Sequence, residues 1–332
     1  FKGGNKMRKH KIISAGIETD IKKPVLRRRI MVIGNNKALL GNPSTLDSLV
    51  QLIKRFQSPF VQLGITPNLL QTARVGEQLE GSDALTGAQS IGLRGVGAFT
   101  GNVSPEAISG AKAQFVVINH KELQVAGHSR SDIATRINNG LSQGIKPLIC
   151  VGPDKGQLTT PETVIGDFGS GFDGVDLKLL KKIGFILAFE PGDAIGEKTA
   201  INTRNIEEGI RILSGHIEKK YGIAREDYDV LYGGGVNADN ASTLEPLIKS
   251  QVLQGFFIGG DSVNNNFLAI ADLVEAMAKR SFQAPSAYAN IRATESAFNF
   301  ETIVTELNKQ NSGITAPDRP VFVGILGTGE IG

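Results

Sequence analysis

Three short apolar runs in this 332-residue chain lead into side chains that carry charge or move protons. Asn35 and Lys37 follow IMVIG (30–34), His120 and Glu122 follow QFVVIN (114–119), and Glu190 closes GFILAFE (184–190). Two further runs end in glycines: Gly233, Gly234 and Gly235 after DVLY, and Gly259 and Gly260 after GFFI. An ammonium, an imidazole and a carboxylate brought together suit removal of a proton next to a carbonyl. The carboxylate takes the proton, and the other two groups stabilise the charge that develops on oxygen. Glycine backbone lets N–H groups approach a phosphate closely. Taken singly, each residue has an ordinary explanation: a solvated lysine, a buried hydrogen-bonded histidine, a capping or salt-bridging glutamate. Their shared position at the ends of the first, fourth and sixth runs, with glycines ending the seventh and eighth, points to a site.

The elements that must position these residues alternate. Eight apolar or β-branched runs are bounded by Gly, Pro or Asn: 30–34, 60–65, 84–90, 114–119, 146–152, 184–190, 229–235 and 255–260. Between them lie longer amphipathic stretches, including Ser44–Phe56, Ser129–Gln143, Thr203–Lys220 and Asp261–Ala278. In the third, Ile206, Ile210, Leu213 and Ile217 recur on one helical face. Ser44, Ser104, Ser129 and Asp239 stand where helix N-caps are expected. Eight strand–helix units between Ile30 and Met277 predict an α/β fold, a (β/α)8 barrel, whose functional residues lie at the C-terminal ends of the strands. An open doubly wound sheet would carry a Gly-rich phosphate loop after its first strand, and GNNKALLGN is not one.

With 40% apolar and 21% charged residues the composition is that of a globular protein, and no apolar stretch is long enough to span a membrane. The net charge of +3 is unevenly distributed. Residues 1–29 hold ten Lys/Arg against Glu18 and Asp20, a net of +8, so the remainder carries −5. The basic character belongs to an arm, which argues against nucleic acid as a partner of the main body. The arm reads as a solvated extension, with an organelle address or an anionic-surface anchor as alternatives; it lacks the apolar segment of a secretory signal. The expected organisation is therefore an N-terminal arm (1–29), a barrel (30–280) and a C-terminal extension (281–332). The extension reads as a linker, a short amphipathic helix at 297–310, a second linker and the run VFVGILGTGEIG. That run places Gly327, Gly329 and Gly332 at GxGxxG spacing, either as an ordinary terminal strand or as the first strand of a further domain. Cys150 is the sole cysteine, and neither it nor the four histidines show metal-ligand spacing, so no metal and no cofactor is expected.

Across roughly residues 30–278 the chain resembles the triosephosphate isomerase family. GNNK (34–37) resembles that family's GNWK, GAFTGNVSP (97–105) its third-loop segment, and VVINHKEL (116–123) stands where the family has GHSER. AFEPGDAIGEKTA (188–200) resembles the catalytic glutamate and mobile lid, while YGGGVNADN and GFFIGGDSV resemble the phosphate-gripping loops. The resemblance implies a TIM barrel that interconverts dihydroxyacetone phosphate and D-glyceraldehyde 3-phosphate through an enediolate. It makes Glu190 the base, His120 the electrophile, Lys37 the electrostatic stabiliser, Asn35 an orienting group and Glu122 a supporting carboxylate. It gives the lid's Gly196, with Gly234, Gly235, Gly259 and Gly260, to substrate binding. Thr100 falls in a loop that in this family enters the neighbouring subunit, implying a homodimer through 97–105; a cytoplasmic location is expected.

Several positions depart from the family pattern. Asn36 replaces a tryptophan, Asn119 a glycine, Lys121 and Leu123 a serine and an arginine, Gly235 a serine and Pro153 a glutamate. Gly192-Asp193 stand where valine and tryptophan are expected, and the lid is one residue short before Lys198. Lys121 is expected either to disturb the site or to pair with Glu122, and Asp193 and Asp261 to be solvated. These departures motivate two alternatives: an isomerase of another small sugar phosphate, and a non-catalytic barrel serving as a structural or assembly subunit. VFVGILGTGEIG also resembles the opening of glyceraldehyde-3-phosphate dehydrogenase, which would make a fused or associated dehydrogenase domain after residue 332 a partner.

Overall fold

Alternation along the strands explains both the barrel and the position of its open end. The computed structural model describes residues 23–194 and 202–283. Strands β1 (Ile30–Asn35), β2 (Val61–Thr66), β3 (Leu85–Ala88), β4 (Phe115–Ile118), β5 (Lys146–Val151), β6 (Ile186–Phe189), β7 (Asp229–Tyr232) and β8 (Gly255–Ile258) close into one barrel in chain order. Every pairing is parallel, and β1 joins β8 with Met31 opposite Gly255. This is the expected TIM barrel.

Odd and even positions of a strand face opposite sides. Met31, Ile33, Phe115, Val117, Leu148, Cys150, Ile186, Ala188, Leu231 and Phe257 fill the barrel interior. Their neighbours Ile30, Val32, Val116, Ile118, Ile149, Val151, Leu187 and Val230 pack outward into a separate layer beneath the helices. Continuing the inward series by one step at the C-terminal ends reaches Asn35 on β1, Gly152 after β5, Glu190 after β6, Gly233 after β7 and Gly259 after β8. Strand parity thus carries these residues to the mouth of the barrel.

The outer layer is made by α1 (Pro43–Arg55), α2 (Thr72–Leu79), α3 (Pro105–Gly110), α4 (Lys121–Val125), α5 (Ile133–Ser142), α6 (Pro161–Phe168), α7 (Leu177–Ile183), α8 (Thr203–Tyr221), α9 (Glu245–Lys249) and α10 (Asn266–Ser281). Helix starts differ in detail from the sequence reading. Asn42, not Ser44, caps α1, because its side chain accepts the Ser44 N–H and Pro43 takes the first helical position. Ser104 caps α3 as expected. Ser129 caps a 3-10 turn (Arg130–Asp132) that precedes α5, and Asp239 caps nothing. The stretch read as a helix from Asp261 opens as a 3-10 turn, Gly260–Val263, before α10 begins.

The end of the N-terminal arm is integrated rather than solvated. Leu26 is buried, and its N–H donates to the Gln283 carbonyl, while Gln283 N–H donates to Pro24. Arg28 pairs with Asp229 at 2.8 Å and Arg29 with Asp83 at 3.1 Å, both at the N-terminal mouth of the barrel. Residues 1–22, the lid segment 195–201 that contains Gly196, and residues 284–332, with the expected helix and the glycine-rich run, lie outside the described residues.

Candidate active site

At the C-terminal mouth, Asn35, Lys37, His120, Glu190, Gly234, Gly235, Gly259 and Gly260 line one pocket of about 130 Å3, together with Gly233, Val236, Asn237, Phe257 and Asp261. That volume, bounded by the described residues, is below the roughly 300 Å3 at which drug-sized ligand pockets begin, so the pocket suits a small ligand.

Lys37 sits at φ +49, in the left-handed region that a side-chain-bearing residue occupies only at a cost of about 1–3 kcal/mol. Gln89 holds it there by donating to the Lys37 carbonyl at 2.7 Å and to Thr66 at 3.0 Å. The Lys37 ammonium reaches Glu122 Oε1 at 2.5 Å. Glu122 therefore meets the site through Lys37. Asn36 turns away from the pocket, wholly buried, and donates to the Ser262 carbonyl at 2.9 Å. In the tryptophan's place it ties the end of β1 to the loop after β8.

Asn119 also has positive φ, +62, and breaks the alternation of β4. Among residues with a side chain, asparagine tolerates this region best, which accounts for its replacing glycine. Its amide donates to the Cys150 carbonyl at 2.9 Å and the Asp167 carbonyl at 3.0 Å. The kink delivers the next residue, His120, to the pocket. His120 Nδ1 accepts the Glu122 backbone N–H at 3.2 Å, capping α4. A ring nitrogen that accepts a hydrogen bond carries no proton, so the ring proton sits on Nε2. Nε2 lies 3.8 Å from Glu190 Oε1.

Glu190 is almost fully buried, and its Oε2 has no hydrogen-bond partner among the described residues. Burial pushes its carboxyl above the usual carboxylate range, opposed by the neighbouring His120, a hydrogen bond from the Cys150 thiol, and the charges of Lys37 and Lys121. Burial and the Glu190 charge together push the Cys150 thiol well up. They also raise the Tyr232 phenol to about 12. Gly233 must be glycine, because a Cβ there would meet Glu190 Cγ at 2.5 Å. At Gly260 a Cβ would meet none of the described residues.

Two expectations about charge are corrected. Lys121 pairs not with Glu122 but with Asp167 at 2.6 Å and Asp154 at 2.8 Å, which draws it away from the pocket. Asp193 is exposed, as expected, and accepts the Gly156 N–H at 2.8 Å, whereas Asp261 is half-buried in the pocket wall and accepts from Asn266 at 3.1 Å. Gly192, where valine was expected, packs so closely on the Asp154–Lys155 backbone that a Cβ would collide with the Lys155 nitrogen. Gly192 also donates its N–H to Pro153 at 2.8 Å. The substitutions at 153 and 192 therefore fit one another. Thr100 is exposed on the loop after β3, beside the exposed Val96 and Phe99 and away from the pocket.

Val236, Asn237 and Phe257 joined the pocket without being singled out from sequence. Parity along β8 marks Phe257, and Asp261, expected to be solvated, follows the Gly259–Gly260 pair into the same wall.

A family model for triosephosphate isomerase matches residues 30–275. Triosephosphate isomerase of Natranaerobius thermophilus is 30% identical over 241 residues, covering 71% of this chain and 91% of that protein. That of Borrelia garinii is 31% identical over 229 residues (67% and 88%), and that of Gluconacetobacter diazotrophicus 27% over 255 (73% and 97%). The chain belongs to the triosephosphate isomerase family.

Proposed function

We propose that this chain interconverts dihydroxyacetone phosphate and D-glyceraldehyde 3-phosphate, with Glu190 as the base. The observation that carries the reading is the buried Glu190 carboxylate on the wall of a small pocket, one oxygen without a partner among the described residues and the other 3.8 Å from a proton-bearing imidazole nitrogen. Glu190 removes a proton from the carbon next to the substrate carbonyl. Electron density moves onto the carbonyl oxygen, where the His120 Nε2–H and the Lys37 ammonium stabilise it as an enediolate. His120 Nε2–H gives its proton to that oxygen, and the ring nitrogen takes the proton of the neighbouring hydroxyl. Glu190, whose proton exchanges in part with solvent at the enediolate stage, protonates the carbon that was the carbonyl, completing the exchange of aldehyde and ketone. Asn35 orients the substrate, and Gly234, Gly235, Gly259 and Gly260, with Gly196 of the lid, offer backbone to the phosphate.

A coupled assay with glyceraldehyde 3-phosphate, wild type beside Glu190→Gln, tests this. Turnover reduced about 10²–10⁴-fold in a folded Glu190→Gln protein is expected; equal rates would refute the assignment. The second reading, another small sugar phosphate as substrate, draws on the altered start of the lid, where Gly192 and Asp193 stand in place of valine and tryptophan. Preferential turnover of a four-carbon ketose phosphate would favour it. We also propose a homodimer through residues 97–105, supported by the exposed Val96 and Phe99.

A further inference from the structure

Behind the pocket, a buried carboxylate gathers donors from two successive strand–helix units, those that begin with β4 and β5. Asp167 lies in the last turn of α6, where the partial negative charge of the helix end disfavours a carboxylate. It is nevertheless only 3% exposed. Its Oδ1 accepts from Lys121 at 2.6 Å, from Arg130 at 2.8 and 3.1 Å and from Gln124 at 3.1 Å, and its Oδ2 accepts the Gly152 N–H at 3.0 Å. Asp154 completes the cluster at its exposed end, so that two cations face two carboxylates. A buried charge this fully satisfied is lost only at substantial cost, and it fixes the elements that supply its donors.

Those elements are the ones that position the site. Lys121 and Gln124 belong to α4, the helix capped by His120. Asn119, whose left-handed turn aims His120, donates to the Asp167 main-chain carbonyl and to Cys150. Gly152 abuts the Glu190 backbone so closely that a Cβ there would collide with the Glu190 carbonyl. The Lys121 charge also helps hold Glu190 ionised. We propose that Asp167 is a positioning residue for the reaction, clamping α4 to the end of β5 so that His120 and Glu190 keep their mutual geometry. This rests on the isomerase reading above, and it supplies from α6 a carboxylate anchor next to Pro153, where the family has a glutamate.

The test compares wild type, Asp167→Asn and the control Asp154→Asn. kcat and KM are measured with glyceraldehyde 3-phosphate, and the ring nitrogens of 15N-histidine-labelled protein are observed without substrate, His120 being assigned by its absence from the His120→Gln spectrum. A misplacement of about 1 Å costs on the order of 100-fold in rate. Asp167→Asn is therefore expected to lower kcat about 100-fold with KM within about threefold, and to shift the His120 Nδ1 signal as its hydrogen bond to Glu122 loosens. Asp154→Asn should stay within about twofold of wild type, because Asp167 still holds both cations. A folded Asp167→Asn protein with wild-type kcat, or with lost kcat and an unmoved His120 signal, overturns the proposal. If Asp167→Asn does not fold, Lys121→Met, which leaves the carboxylate its other donors, is judged by the same two readouts. The ring signal needs no substrate, so it decides the positioning role even if the wild type leaves triose phosphates unchanged.

Discussion

At the residue scale, the pocket is a compromise between chemistry and burial. A carboxyl whose pKa is raised on folding binds its proton more tightly in the folded state, so its ionisation destabilises the fold as pH rises through the folded pKa. Glu190 is such a group. Two outcomes follow. The acid limb of kcat/KM should lie above the ordinary carboxylate value of 4.5, because Glu190 acts only when ionised; a pH profile checks this. Glu190→Gln, while losing activity, should gain about 1 kcal/mol of stability at neutral pH, seen as a Tm rise of about 2–4 °C. Asp261 supplies a third outcome. Lys37 is the one permanently cationic side chain among the described pocket residues, and it is already paired with Glu122. A phosphate therefore meets Asp261 without a free cation to offset it. Removing one carboxylate charge at this range, as in Asp261→Asn, is expected to lower KM about tenfold with kcat unchanged, measured by steady-state kinetics.

At the element scale, the alternation of strands and helices and the inward parity of each strand were legible in the sequence. The catalytic candidates needed only the knowledge that they follow strands 1, 4 and 6. What was not legible were contacts across units. Nothing local announces that Lys121 would turn to Asp167, 46 positions away, rather than to the adjacent Glu122. The helix boundaries that shifted did so through single hydrogen bonds, as where Asn42 took the cap from Ser44. The departures from the family pattern likewise make sense only in pairs: Pro153 with Gly192, and Asn119 with the Asp167 cluster. Restoring the family residue by Gly192→Val should therefore harm the protein. The new side chain meets the Lys155 backbone, and overpacking of this kind costs about 1–3 kcal/mol, to be read from urea unfolding midpoints.

At the scale of the whole molecule, the two mouths of the barrel have separate roles. The C-terminal mouth holds the pocket. The N-terminal mouth joins the two ends of the described chain, with Val25 and Gln283 bridged and Arg28 and Arg29 pinned to Asp229 and Asp83. The loop after β3 leaves the barrel with Val96 80% and Phe99 41% exposed, an apolar surface that a second copy would cover. Sedimentation velocity should show a dimer, and Thr100→Arg should shift it toward monomer; a wild-type monomer at micromolar concentration would remove the dimer from this account. The chemistry at the C-terminal mouth rests on proton transfer by Glu190. It is tested most directly by running the isomerisation in D2O and locating deuterium in the product. Incorporation at the carbon that receives the proton, abolished in Glu190→Gln, is the predicted result. Wild-type turnover, or incorporation, that persists in Glu190→Gln would contradict it.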